Sequence, residues 1–388
     1  MRIVKMLIIS VLLLPLSACW DRGEITQFAF PVVLGVDLGE NGLLDVTLQI
    51  ANAKETAPKM DPTGKSGPSE VITISAPDII TAREIANISV TKDLRYSHVK
   101  TLVFSEELAR SDEFSTIMEA TLRDRQFRRD VNIVISRERA SDFIRNNNPQ
   151  LEKRPHKFFD FMIARWKETG LMPEASLNQY FEAVEGKEGL FLAIYATATI
   201  LEPKSEEGSE YVAGEVDLQG GNPTQMLGSA MFKDGKMVGV LNGEETKYAL
   251  LLRPYTKMDA IQANFKDPTD LSRNITVRML KTVSPKVDVN IKGNQPTITV
   301  HVPVTIQVLH VRSDSNYTRN LKNQAKLKQS IEKQLTDETL SLINKTQRVV
   351  RGEPFHWSSV VRSQYWTWDE YSNANWSEQF SKSKVKVK

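Results

Sequence analysis

Residues 297–308 are Thr-Ile-Thr-Val-His-Val-Pro-Val-Thr-Ile-Gln-Val, and they carry the clearest periodic pattern in the chain. Every second residue of this stretch, beginning at Ile298, is aliphatic. A period of two sustained in this way predicts one long β-strand with a buried aliphatic face. We expect Val302 on that face and His301 on the other. Because Pro303 cannot donate a ladder hydrogen bond, an edge position or a bulge is expected there.

The flanking sequence predicts a sheet covered by a helix. Residues 287–291 alternate in the same way and are expected to pair with the long strand through a turn at 293–296. The period becomes helical over residues 320–346. Further upstream, Asp234-Gly235 separates two apolar runs and supplies the positive φ angles of a type I′ hairpin turn. This part of the chain therefore predicts hairpins packed by helices.

The N-terminal half alternates strand and helix signals. Strands are predicted over 30–37, 43–50, 71–74, 99–104, 131–135 and 190–201, and helices over 77–90, 113–125, 136–145 and 155–168. Ser136 is predicted to cap the helix that follows it. Such a succession favours layers of helices on a sheet over an all-helical bundle.

Chain length and composition predict more than one domain. The 388 residues exceed one ordinary core. A charged, glycine-rich segment over 202–224 predicts a linker. We expect a signal segment over 1–18, an N-terminal region over 19–201 that can divide into two subdomains, and a C-terminal domain over 225–388. The predicted fold class is α/β (α+β) and multidomain, with two to three distinct domains that each hold a β-sheet packed by helices.

The only cysteine, Cys19, lies where bacteria attach lipid to exported proteins. An apolar run over 6–16 follows two basic residues, and the sequence Leu-Ser-Ala-Cys then ends at Cys19, which fits the lipobox. Small residues let the backbone enter the signal peptidase, and the thiol receives a diacylglyceryl group. The run is shorter than the roughly 20 residues that span a bilayer, so it predicts a cleaved signal segment. An ordinary signal peptide that ends near a cysteine is the alternative.

The charge balance removes nucleic acid from the expected partners. The chain has 50 Lys+Arg and 48 Asp+Glu, and cleavage before Cys19 removes Arg2 and Lys5, which leaves 48 of each. A neutral body has no general attraction for nucleic acid or anionic lipid. Membrane attachment is therefore expected from acyl chains on Cys19, since two chains anchor stably. The longest later apolar run, 190–201, predicts a buried strand.

Several short motifs occur in a fixed order along the chain. They are Cys19-Trp20-Asp21 with Glu24, Gly35-Val36-Asp37, Tyr96-Ser97-His98-Val99-Lys100, Ser105-Glu106-Glu107-Leu108, the basic run from Arg123 to Arg129, and Gly228-Ser229-Ala230-Met231-Phe232. This ordered set resembles the Ger(x)C spore germination lipoproteins, and the similarity covers nearly the whole chain after Cys19. Two segments depart from the family pattern. After the long helix, family members have an aspartate and a Gly/Phe-rich turn, whereas this chain has residues 351–357 there. The last strand signal, at 384–388, is shorter than in other members.

Members of that family are the C subunits of nutrient germinant receptors in spore-forming bacteria. The resemblance implies a non-enzymatic lipoprotein without cofactor, carrying acyl chains such as palmitate on Cys19, on the extracytoplasmic face of the spore inner membrane. It implies assembly with an integral-membrane A subunit and a transporter-like B subunit. The main alternative is a solute-binding lipoprotein that delivers a ligand to a transporter, which predicts two similar lobes around a cleft. A cell-wall hydrolase is a weaker third interpretation.

The sequence shows no motif for catalysis or metal binding. Gly-x-Ser-x-Gly, His-Glu-x-x-His, a phosphate-binding glycine loop and cysteine pairs are absent. Residues from Asp37 faintly resemble a calcium loop, but Leu48 stands at its twelfth position, and a hairpin turn is favoured. His98 has no second histidine at ligand spacing, so a structural role is favoured over a ligand or a pH sensor. Glu106 and Glu107 diverge on a helix and predict a solvated helix start.

Two clusters have alternative interpretations. For the densest basic run, a solvated face or an internal ion-pair network is favoured over docking to lipid headgroups or a partner; its members are Arg123, Arg125, Arg128 and Arg129. For the tail, packing over a core edge is favoured over ligand binding. The tail holds four of the six tryptophans, namely Trp357, Trp366, Trp368 and Trp376.

Overall fold

Most of the chain after the predicted signal segment is described. The computed structural model describes residues 24–51, 69–187, 189–201, 203–204, 210–254, 256, 258–291 and 295–388. The signal segment and Cys19 lie outside these residues.

Helices alternate with strands in the first half of the chain, and a long helix with a helical tail follows the later strands. The strands are β1 Phe28–Ala29, β2 Pro31–Leu38, β3 Leu44–Ala51, β4 Ser69–Ala76, β5 Asp93–Leu94, β6 Thr101–Ser105, β7 Asn132–Ser136, β8 Phe191–Thr197, β9 Gln225–Lys233, β10 Lys236–Leu241, β11 Met258–Asp267, β12 Asp270–Lys281, β13 Lys286–Asn290, β14 Thr297–His301, β15 Thr305–Val311 and β16 Lys384–Val387. The α-helices are α1 Ile79–Ala86, α2 Glu106–Ala109, α3 Glu113–Arg123, α4 Ala140–Asn146, α5 Pro155–Ala164, α6 Trp166–Thr169, α7 Leu177–Glu185, α8 Gly243–Leu252, α9 Leu321–Lys345, α10 Ser358–Arg362, α11 Trp368–Asn373 and α12 Trp376–Lys382. The strands and helices predicted for the N-terminal half are present, most with bounds shifted by a few residues.

An eight-stranded mixed sheet organises the N-terminal part, with strand order β10-β9-β8-β7-β6-β2-β3-β4. Strands β2, β6, β7 and β8 run parallel, and hairpins extend the sheet at both ends. Every residue of β6 and β8 is buried, as expected for parallel strands covered on both faces. Because parallel strands point the same way, their first residues gather at one edge, here called the amino edge. Their last residues gather at the opposite, carboxyl edge.

The predicted hairpin around Asp234-Gly235 is confirmed. Both turn residues have positive φ angles, 50° and 82°, and they join β9 to β10. Strand β9 also pairs antiparallel with β8. This hairpin, which follows the predicted linker, therefore completes the sheet of the N-terminal part. The division of the chain at 202–224 stays a prediction.

The predicted single strand over 297–308 is wrong, because the segment forms two strands in two different sheets. Strand β14 lies between β13 and β16, whereas β15 is the edge of a sheet with β11 and β12. The last ladder bond of the first sheet runs from the N–H of Val302 to the carbonyl of Lys388, at 2.9 Å. The next residue, Pro303, has no N–H and a fixed φ, so the ladder ends there and the chain turns to the other sheet.

The alternation within this segment still separates an inner from an outer face. Ile298 and Val300 are fully buried, and Val302 is half-buried beside α9. His301 is exposed, as predicted. The pattern weakens after the break, where Val308 is 43% exposed. The period of two therefore identifies the faces although it misses the break.

A long helix and a parallel strand close the C-terminal part. Helix α9 confirms the predicted helix over 320–346, and the side chain of Asn320 caps it by accepting the N–H groups of two first-turn residues. Strand β16 pairs parallel with β14. Phe355, Trp357 and Phe380 are fully buried between these elements. The two segments that depart from the family pattern are thus part of the core and of its sheet.

Candidate functional site

Asp37, the last residue of the Gly-Val-Asp motif, caps a distant helix at the carboxyl edge. Its side chain is buried, and its oxygens accept the N–H groups of Ala140 at 2.6 Å and Ser141 at 3.0 Å. These donors belong to the first turn of α4, where a carboxylate is favourable. The prediction that Ser136 caps this helix is wrong, because its hydroxyl donates instead to the carbonyl of Glu138, at 2.7 Å.

We expect Asp37→Ala to lower the free energy of unfolding by about 1–3 kcal/mol, because two buried N–H groups lose their acceptor. Denaturant unfolding followed by circular dichroism measures the loss. Glu40→Ala, on the exposed turn of the same hairpin, is the matched control and should shift the midpoint little. Equal midpoints for the two variants would mean that the cap adds nothing to stability.

The glutamates predicted at a helix start lie at the beginning of α2, also at the carboxyl edge. Glu107 is exposed. Glu106 accepts a short hydrogen bond from the Tyr195 hydroxyl and contacts Arg110 at 2.7 Å. Burial raises the pKa of Tyr195, and the hydrogen bond to Glu106 raises it further. Tyr195 therefore acts as a donor that ties β8 to α2.

A third carboxylate of this edge orders the end of β8. Glu138 accepts the hydroxyl of Thr197 at 2.6 Å and the N–H of Ala198 at 2.5 Å. In open α/β sheets, the crevice at the carboxyl ends of the strands is the usual ligand position. Here Asp37, Glu106 and Glu138 each use their oxygens to fix a helix or strand end.

His98 lies in the Tyr96–His98 turn at the amino edge, where it is exposed. Its ring centroid is 4.1 Å from that of Phe30, and its Nδ1 is 3.2 Å from the hydroxyl of Ser97. These contacts agree with a structural role. In the described part of the chain, no group of three His, Cys, Asp or Glu side chains is placed to hold a metal ion.

The basic run is ion-paired at two of its four arginines. Arg128 forms two hydrogen bonds with Asp130, at 2.8 and 2.9 Å, and Arg123 lies 3.5 Å from a carboxylate of its own helix. Arg125 and Arg129 are exposed, and no carboxylate among the described residues forms an ion pair with either. The favoured interpretation, a solvated face or an internal ion-pair network, therefore agrees with the run, since two of its arginines are ion-paired and the other two are exposed.

The four tail tryptophans divide into two buried and two exposed side chains. Trp357 is buried and donates to the Leu252 carbonyl at 3.1 Å, and Trp376 is also buried. Trp366 is 96% exposed and Trp368 is 41% exposed. The packing role predicted for this group is therefore correct for two of its members.

A buried charge cluster in the C-terminal part was missed by sequence reasoning. It consists of Arg253, Lys281 and Glu353, which are 4%, 1% and 0% exposed. Lys281 donates to two carbonyls at the end of α8, at 2.9 and 2.5 Å, and the Nε of Arg253 donates to the Pro354 carbonyl at 2.9 Å. The one sequence feature that could have indicated this cluster is the departure from the family pattern over 351–357, which includes Glu353.

Glu353 is surrounded by hydrogen-bond donors. Its two oxygens accept the N–H groups of Phe355 and Ser358, both at 2.7 Å, and the indole N–H of Trp376 at 3.3 Å. Burial raises the pKa of Glu353 to about 7, while these donors act in the opposite direction. Burial also lowers the pKa of Lys281 to about 7. Shifted pKa values often mark functional sites. Here, however, the hydrogen-bond partners described above are mostly backbone groups that close the fold, which favours a structural role.

Three cavities are candidates for a small ligand. One, of about 220 Å³, lies beside the buried charge cluster and is lined by Trp166, Glu174 and Arg253. It is smaller than typical ligand pockets of about 300–1,000 Å³. A second, of about 1,100 Å³, is an open cleft lined largely by polar side chains, among them Lys187 and Arg351, unlike the mostly apolar lining of a typical small-molecule site. The third, of about 720 Å³, lies between α9 and the segment from β14 to β15, and its size and mostly apolar lining are within the range of such sites.

The fold and these contacts define a multidomain α+β protein whose motif residues hold segments of the chain together. Within the described residues, no helix has the length and apolar character needed to cross a membrane. A model described as "Spore germination protein N-terminal domain" matches residues 21–197. A model described as "Spore germination B3/GerAC like, C-terminal" matches residues 227–388. The chain belongs to this spore germination family, the Ger(x)C family that its motifs resemble.

Known relatives and one solved structure agree with this assignment. The chain is 23% identical over 390 residues to spore germination protein B3 of Bacillus subtilis (strain 168), which covers 98% of this chain and 95% of the relative. It is 26% identical over 167 residues to spore germination protein KC of the same organism, covering 42% of this chain and 40% of that one. The crystal structure of the GerBC protein is similar in fold, with a TM-score of 0.52 at 16% identity, covering 91% of this chain and 94% of that chain.

Proposed function

We propose that this chain is the lipid-anchored C subunit of a spore nutrient germinant receptor and acts without catalysis of its own. Acyl chains on Cys19 hold it on the extracytoplasmic face of the spore inner membrane. Its partners are an integral-membrane A subunit and a transporter-like B subunit. Its contribution is a set of contacts on which assembly of the receptor and the germination response depend.

The observation that best supports this proposal is that the carboxylates at the carboxyl edge already form hydrogen bonds with other groups of the chain. This is where an α/β sheet ordinarily presents reactive or ligand-binding side chains. Asp37 and Glu106, both in family motifs, accept hydrogen bonds from Ala140 and Tyr195. Because these side chains already hold other segments in place, a structural role for this edge is favoured over a catalytic one.

The solute-binding alternative requires two similar lobes around a cleft. The N-terminal part has an eight-stranded mixed sheet, whereas the C-terminal part has two three-stranded sheets beside α9. The two parts are unlike in topology, which favours a receptor subunit over a hinged binding protein. Tethering partners to one membrane raises their effective concentration, so modest interfaces suffice for assembly.

Affinity purification from spores tests the proposal. A tag on this chain is expected to recover the A and B subunits. Deletion of the chain should abolish nutrient germination and the recovery of the B subunit with a tagged A subunit. The full chain should show no saturable heat of binding with amino acids or sugars. Micromolar binding of a nutrient, removed by one side-chain change in a defined pocket, would replace this proposal with a solute-binding role.

A further inference from the structure

The part of the amino edge formed at β2, β6 and β7 collects basic segments that are far apart in the sequence, whereas the segment before β8, residues 182–190, is acidic. Because β2, β6 and β7 are parallel neighbours, the segments just before them lie at the same edge. Residues 24–30, 92–100 and 123–130 together hold seven Lys/Arg and four Asp/Glu. This positive excess is local, since the chain after Cys19 has as many acidic as basic residues.

Hydrogen bonds join these segments into one surface. The N–H of Arg95 donates to the carbonyl of Ala29 at 3.0 Å, which connects the second segment to the first. The N–H of Tyr96 donates to the side chain of Gln126 at 2.7 Å, which connects it to the third. The three segments therefore form a continuous edge.

This edge presents cations without carboxylate partners and an apolar side chain. Lys92, Arg125 and Arg129 are exposed, and none has an ion pair with another described residue. Ile88 is 85% exposed and follows Asn87, whose side chain accepts the N–H of Leu94 in β5. An exposed apolar residue beside basic residues is the composition of surfaces that bind the membrane interface.

The chain also arrives at this edge from the predicted anchor. The described residues begin at Glu24, five positions after Cys19, and β1 follows at Phe28. Five extended residues span at most about 18 Å. An acylated Cys19 thus holds the edge within roughly two Debye lengths of the lipid surface, since that length is about 8–10 Å at physiological salt.

We propose that the amino edge is the membrane-facing surface of this chain and docks on anionic phospholipid headgroups. Lys92, Arg125 and Arg129 contact the headgroups, and Ile88 enters the interface. Each cation near an anionic leaflet strengthens binding roughly fivefold. The proposal rests on the proposed lipid anchor. It places Asp37, at the carboxyl edge, about 20 Å farther from the headgroups than Pro31, because six residue steps of β2 separate the two.

Site-specific labelling of the lipidated full chain tests this orientation. When lipid occupies the sulfur of Cys19, an introduced cysteine is the only free thiol. An environment-sensitive fluorophore is attached at Ile88→Cys or, as a matched control, at Glu40→Cys on the opposite edge. The chain is reconstituted in vesicles of phosphatidylcholine alone or with one third phosphatidylglycerol, each containing a headgroup quencher.

We expect the label at position 88 to be quenched severalfold more than the label at position 40. The difference should require phosphatidylglycerol and disappear at high salt. The double variant Arg125→Glu, Arg129→Glu should remove it. The double variant Lys322→Glu, Lys326→Glu, at exposed positions of α9, carries the same charge change and should preserve it.

Flotation of the vesicles separates failure of the anchor from failure of the orientation. A chain that floats but shows equal quenching at both positions overturns the membrane-facing edge and leaves the anchor intact. A chain that does not float overturns both. If the arginine reversals leave quenching unchanged but abolish recovery of partner subunits, the edge faces an acidic protein surface and the lipid proposal is wrong.

Discussion

A chain carrying Cys19→Ala is expected to be almost completely lost from the membrane fraction of cells that lack the other receptor subunits. The substitution removes the only thiol that can receive a diacylglyceryl group. Each buried methylene contributes about 0.8 kcal/mol, so two acyl chains anchor a protein stably. Removing both leaves only the amino edge to contact lipid, and a few surface cations bind weakly and lose affinity in salt.

The position of the longest later apolar run supports this expectation. Ile200 and Leu201, at the end of the run at 190–201, are 41% and 38% exposed, but residues 191–197 form β8, which is buried throughout in the large sheet between β7 and β9. It packs against protein on both sides and is not available to lipid while the chain is folded. Membrane attachment of the isolated subunit is therefore assigned to the acyl chains.

Metabolic labelling with a fatty acid, combined with fractionation, checks this prediction. Ser17→Ala keeps the small residues of the lipobox and is the matched control, so it should remain labelled and membrane-bound. If the unlabelled Cys19→Ala chain still sediments with membranes after a salt wash, the anchor is elsewhere.

Local signals predicted much of the fold because they depend on neighbouring residues. Asp234-Gly235 gave the correct hairpin, since only a few residue types adopt two consecutive positive φ angles. The helical period over 320–346 gave α9, and the alternation from Ile298 gave the buried face of β14. In each case, the identity and spacing of neighbouring residues are enough to predict the local backbone geometry.

Features that join distant residues could not be predicted in this way. Asp37 caps a helix more than 100 positions later, and no local pattern marks that pairing. The transfer of the chain between two sheets at Pro303 depends on which strands are available as neighbours. The same holds for the amino edge, because only the parallel order of β2, β6 and β7 brings its basic segments together.

Glu353→Ala is expected to lower the free energy of unfolding of the C-terminal part by about 3–5 kcal/mol. It removes the acceptor of two backbone N–H groups and of the Trp376 indole, all of them buried. Each orphaned donor costs about 1–3 kcal/mol. Above pH 7, where Glu353 is ionised, the buried cation of Arg253 also loses a nearby counter-charge.

Glu353→Gln separates loss of the acceptor from loss of the charge. Burial raises the pKa of Glu353 to about 7 from an ordinary value near 4.5. The folded state therefore retains a proton that the unfolded chain releases, and the stabilising contribution of Glu353 falls as the pH rises between those values. Glutamine does not titrate. The stability difference between wild type and Glu353→Gln should accordingly be larger at pH 5 than at pH 8.

Denaturant unfolding at both pH values, with the near-ultraviolet circular dichroism of the buried tryptophans as the probe, provides the measurement. Glu332→Ala is the matched control, because this exposed glutamate of α9 contacts only Lys328, at 3.7 Å, among the ion pairs of the described chain. Such an exposed helix pair is worth about 0.3–0.5 kcal/mol. A Glu353→Ala midpoint close to that control would show that the donors around Glu353 find other acceptors. A pH-independent difference for Glu353→Gln would show that the carboxyl group is ionised throughout, because the donors around it then outweigh its burial.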